Sequence, residues 1–69
     1  MTKDERNEFQ RQGKLILRAK YFKNCWYMVE YTERGGWSIF RRTRFETREA
    51  CEKLIDEMAE SHRIVIHDK

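Results

Sequence analysis

Cations and flat rings are interleaved through the middle of this 69-residue chain. Arg18, Lys20, Trp26, Arg34, Phe40, Arg42 and Arg44 are the side chains whose chemistry stands out. Arginine and lysine neutralise phosphates, and arginine also grips a guanine edge through two parallel hydrogen bonds. Trp26 and Phe40 offer π-faces on which bases can stack. Residues 14–45 hold eight lysines and arginines against two glutamates, a net +6, together with eight of the nine aromatic residues. Residues 46–69 hold four cations against seven carboxylates, a net −3. Charge sorted this way describes a two-sided domain, one side of which suits an anionic partner.

The side chains that carry most enzyme chemistry are not arranged for it. There is no Ser/His/Asp set, no phosphate-cradling glycine motif and no pair of carboxylates in an apolar setting, so no catalytic residue is assigned and the chain reads as non-enzymatic. Cys25, Cys51, His62 and His67 are separated by 25, 10 and 4 residues, without a local zinc knuckle, and no metal or other cofactor is expected. Neither cysteine sits in a Cys-x-x-Cys pair, which fits a reducing compartment. Gly35-Gly36 beside Arg34 reads as turn chemistry, and the two histidines as residues at the ends of elements.

These residues need elements to position them. Residues 1–13 contain a single apolar anchor, Phe9, after Met1, too little to offset the ordering of the segment, and are expected to form a flexible N-terminal arm. Residues 14–69 form the domain. Lys14–Phe22, Cys25–Thr32 and Trp37–Phe45 are rich in aromatic and β-branched residues and read as three strands. Three-residue loops, Lys23-Asn24-Cys25 and Glu33-Arg34-Gly35, place Phe22 opposite Trp26, Ala19 opposite Val29, Val29 opposite Ile39 and Tyr31 opposite Trp37. That register gathers Leu15, Leu17, Ala19, Tyr21, Tyr27, Val29, Tyr31, Trp37, Ile39 and Phe45 on one face. A slip of one residue would reverse a strand's faces. Arg41 and Thr43 break the pattern, which a bulge between Phe40 and Phe45 would explain. Thr47 is a good N-cap, and Ala50, Cys51, Leu54, Ile55, Met58 and Ala59 recur at helical spacing up to Ser61-His62. Arg63–His67 reads as a short fourth strand. The expected fold is α+β, in the order β-β-β-α-β: an antiparallel three-stranded meander packed on one helix, with a short C-terminal strand at an edge. If that strand runs parallel to its neighbour, its crossover is expected to be right-handed.

One helix covers one face. The expected bare face then carries Ile16, Arg18, Lys20, Phe22, Trp26, Met28, Glu30, Ser38, Phe40, Arg42 and Arg44, an apolar and cationic surface of the kind that marks a contact site. Two occupants suit it. The first is nucleic acid, DNA ahead of RNA, bound by a small accessory or regulatory protein. The second is a protein, including a second copy in a homodimer, docking on the same aromatic patch. The step Phe45-Glu46-Thr47-Arg48-Glu49-Ala50-Cys51, from the third strand into the helix, resembles the plant ethylene-response type of DNA-binding domain and the arm-site-binding domain of integrases. That resemblance implies DNA read by the sheet in the major groove, with Arg18, Lys20, Trp26, Arg42 and Arg44 at the interface. Arg44 stands where those families commonly have a glycine. No segment has the apolar length of a membrane span or a signal-peptide core, so a cytoplasmic protein without membrane contact is expected.

Overall fold

A computed structural model describes all 69 residues. Six elements follow in the order α1 (Lys3–Arg11), β1 (Leu15–Phe22), β2 (Cys25–Tyr31), β3 (Trp37–Ile39), α2 (Arg48–Ser61) and β4 (Val65–His67). The α+β class is as expected, but the architecture differs from a meander on one helix. The sheet is mixed and has four strands in the order β3-β2-β1-β4, with β4 parallel to β1. Neither helix is long and apolar enough to cross a membrane.

The two hairpins behave differently. Between β2 and β3 the expected register holds: Val29 faces Ile39 and Tyr31 faces Trp37, with Gly35 in the left-handed region at φ 82°. Between β1 and β2 the register is one residue away from expectation. Phe22 pairs with Cys25, Lys20 with Tyr27 and Ala19 with Met28. The loop is therefore only Lys23-Asn24, both at positive φ (50° and 66°), as a primed two-residue turn requires.

The shift turns β2 over relative to β1. Trp26 and Met28 face α2, while Tyr27, Val29 and Tyr31 take the opposite face. Met28 joins Leu17, Cys51, Ile55 and Val65 in the core cluster, with Leu15, Ala19, Trp26, Phe40, Phe45 and Leu54 packed around it. Hydroxyl chemistry favours this choice. A tyrosine beneath α2 would need a buried acceptor, whereas on the opposite face Tyr31 donates to Asn7 Oδ1 at 2.6 Å.

Asn7 belongs to the segment expected as a flexible arm. In the structure it is a helix held by a capping box, in which Thr2 Oγ1 accepts from Glu5 N–H and Glu5 Oε1 accepts from Thr2 N–H. Its docking on the sheet is largely polar. Arg6 Nε donates to Asp68 at 2.8 Å, Gln10 Nε2 donates to the Tyr31 carbonyl, and the Arg6 guanidinium lies over the Tyr31 and Trp37 rings. The result is three layers, α2 on one face and α1 on part of the other.

Between Phe40 and Phe45 the chain leaves the sheet. Phe40 N–H donates to the Met28 carbonyl, and Phe45 exchanges two backbone bonds with Trp26. Two positions on β2 are thus matched by five along the incoming chain, so Arg41, Arg42, Thr43 and Arg44 are thrown outward and all four are exposed. The bulge expected at Arg41 and Thr43 is present, larger than a single residue.

Candidate nucleic-acid interface

The α1-side face of the sheet is covered only at the Tyr31 end. Towards the β1–β2 turn it lies open as a groove. Its floor is Tyr27 and Val29, both nearly buried, and its walls are Phe22 and Ile39, at 46% and 42% exposure. Trp37 closes the end nearest α1, and Lys20 stands on the rim. This part encloses about 270 Å³. A second hollow of about 430 Å³ continues from it across Phe22, Tyr27 and Ile39 to Lys23, Phe40, Arg42 and Arg44.

Each wall has a physical origin in the chain. Lys20 and Phe22 share the groove face because residues two apart on a strand point the same way. Tyr27 lies opposite Lys20 in the ladder, and Ile39 lies opposite Val29. Phe22 and Tyr27 meet edge to face, with ring centroids 6.4 Å apart. Arg42 and Arg44 reach the far end because the excursion after Phe40 carries them there. Neither forms an ion pair within the chain.

The residues singled out from the sequence are distributed as follows. Lys20, Phe40, Arg42 and Arg44 border the groove. Arg18 adjoins it, its guanidinium 4.2 Å above the Trp37 ring. Arg34 sits at the exposed tip of the β2–β3 hairpin and lines neither hollow. Trp26 is a correction: it lies on the α2 face, half-buried against the core cluster, with Arg48 over its ring at 5.9 Å. Phe40 is corrected in part, since one side of it packs on that same core. The bare Trp26 face expected from the sequence does not exist. Phe22, Tyr27, Val29, Trp37 and Ile39 take its place.

Two titratable clusters lie elsewhere. Burial, aided by the neighbouring Glu52, pushes the Cys51 thiol up to about 11, so it stays a protonated core side chain. Cys25 and Cys51 are both free thiols. His67, expected as a residue at the end of an element, is a packed side chain with only 4% exposure. Its Nδ1 lies 2.7 Å from Asp56 Oδ1, and its buried Nε2 lacks a hydrogen-bond partner, with Glu52 Oε2 at 3.7 Å. The hydrogen bond with His67, helped by the nearby Lys69, holds the Asp56 carboxyl below its ordinary range.

No protein-family model, curated protein or solved structure matches this chain.

Proposed function

We propose that this protein binds single-stranded nucleic acid in the groove between Phe22 and Ile39. The observation that carries the reading is an apolar, ring-walled channel whose rim is entirely cationic: Lys20, Lys23, Arg42 and Arg44. An unstacked base would lie against Phe22 over the Tyr27 floor, and the phosphates on either side would meet the rim. Base–aromatic stacking contributes roughly 1–3 kcal/mol per base and needs no particular sequence. A duplex suits the surface less well. Reading by the sheet in the major groove needs the face opposite α2 to be clear, and α1 occupies its Tyr31 end.

The second reading, a protein on the same patch, draws on the exposure of Phe22 and Ile39. Charge separates its two forms. Two copies meeting face to face would bring Lys20, Lys23, Arg42 and Arg44 against the same four cations, which disfavours a homodimer. An acidic protein segment remains as the competitor.

Titration with labelled single-stranded DNA and RNA, the matching duplexes and an acidic peptide tests the assignment. Single strands are expected to bind best, with a log–log salt slope of about −3, as four phosphate contacts give at about −0.7 each. Arg42→Ala/Arg44→Ala is expected to flatten that slope by about 1.4 and to leave thermal stability nearly unchanged, because both side chains are exposed and unpaired. Peptide binding without strand binding at low salt would overturn the proposal.

A further inference from the structure

The strand β4 pairs with only three of the eight residues of its neighbour β1. Its ladder with β1 ends at Leu17–His67, and one more backbone bond follows, from Asp68 N–H to the Leu17 carbonyl. Beyond that point the edge of β1 has no strand beside it. Leu17 turns its carbonyl to this edge, so by the alternation of a strand Ala19 turns its N–H there too, and it finds no backbone acceptor.

A polar hollow of about 260 Å³ opens at this edge, lined by cations from both faces of the sheet. Arg6, Arg18 and Lys20 enter from the α1 side, Arg48 from the start of α2, and Lys69 from the end of β4. Counting side chains alone, these five cations meet two lining carboxylates, Asp68 and Glu52, a net +3. The Met1 ammonium also lines the hollow, 3.7 Å from Asp68, while Arg48 and Lys69 lie 3.4 Å from Glu52 and from Asp56, respectively. Asp68 is engaged by Arg6 at 2.8 Å, whereas the Arg18 guanidinium stands 3.9 Å away, beyond hydrogen-bond reach. Arg18 instead lies over Trp37, its guanidinium carbon 4.2 Å from the ring centroid, and its donors make no hydrogen bond within the chain. Lys20 has no ion pair and lines both this hollow and the apolar groove, so the two sites abut.

We infer that this hollow takes a phosphomonoester, the terminal phosphate of a strand whose first bases lie in the groove. The inference rests on the single-strand reading above. A chain end carries about −1.5 to −2 charge and three acceptor oxygens, against −1 and two for an internal diester. It is the group that matches a cationic hollow with the forked Arg18 guanidinium, the unpaired Lys20 ammonium and a free backbone N–H. Strand polarity decides which end enters, and the test therefore covers both.

Four otherwise identical labelled oligonucleotides, carrying phosphate or hydroxyl at the 5′ or the 3′ end, are titrated at fixed ionic strength against the whole chain and against Arg48→Gln/Lys69→Gln. These two side chains line the hollow and not the groove. Phosphate at one end is expected to tighten binding about tenfold over hydroxyl, and the double variant to erase that gain while weakening the hydroxyl-ended strand about twofold or less. Equal affinity for all four strands would overturn the inference and leave the single-strand reading intact. Failure of every strand to bind would overturn both. Millimolar inorganic phosphate serves as a separate arm, read by the Arg18 and Arg48 side-chain N–H resonances. A phosphate response without any strand preference would assign the hollow to free phosphate and overturn the strand-end assignment.

Discussion

At the scale of the residue, His67 and Asp56 show how a polar contact ties β4 to α2. Asp56 ionises more readily in the folded chain, chiefly because it shares a hydrogen bond with His67. A carboxyl depressed on folding adds stability above its ordinary value, and that share disappears as pH falls through the depressed one. Asp56→Asn is therefore expected to lower the urea midpoint at pH 7, and the gap between the two proteins should close at pH values below the ordinary aspartate range. A gap that persisted at pH 2 would mean that the contribution is not ionic. Packing separates two other residues just as sharply. Met28 is completely buried and Met28→Ala should cost about 2–5 kcal/mol. Ile39 is 42% exposed, so Ile39→Ala should cost less than about 1 kcal/mol while weakening strand binding. Denaturation and oligonucleotide titration of both variants read these opposite signatures. Thr47, Cys51 and Ile55 could be placed from the sequence alone, because capping and helical spacing are local rules. His67 could not, since its partners lie 11 and 15 residues away on α2.

At the scale of the element, the register of β1 and β2 decides which rings are free. Strict alternation assigns each of the two strands one buried face. Yet Leu15-Ile16-Leu17 and Trp26-Tyr27-Met28-Val29 are continuous apolar runs, the pattern of strands covered on both faces. Met28 and Val29 are accordingly 0% and 4% exposed on opposite sides. On that second side the neighbouring groove side chains Trp37 and Ile39 flank Val29, and α1, which one apolar anchor does not announce, covers the Tyr31 end. Its docking residues Arg6, Asn7 and Gln10 share a helical face, and Thr2 with Glu5 forms the capping signal that marks its start. The turn supplies a direct check of register. Lys23 holds a left-handed conformation that costs a side-chain-bearing residue about 1–2 kcal/mol. Lys23→Gly relieves this against roughly 0.5–1 kcal/mol of added chain entropy, so it should be neutral or slightly stabilising. Cys25→Gly, at a paired strand position, should destabilise by roughly 0.5–1 kcal/mol. A three-residue loop would reverse the order of the two variants in thermal melts.

At the scale of the whole molecule, two helices on opposite faces of a four-stranded sheet leave one open quadrant, bounded by the β1–β2 turn and the Arg41–Arg44 excursion. The sorting of charge by segment already pointed to a cationic, aromatic side. Which rings occupy it depended on long-range pairing, namely the return of β4 beside β1 and the seating of α1 over Tyr31, and no local pattern encodes either. The chain has two tryptophans, one on each face, and they report the outcome separately. In a ¹⁵N-labelled sample at low salt, adding a single-stranded oligonucleotide with hydroxyl at both ends should shift the Trp37 indole N–H resonance and leave that of Trp26 in place. Movement of Trp26 with Trp37 unmoved, or of neither, would contradict the account.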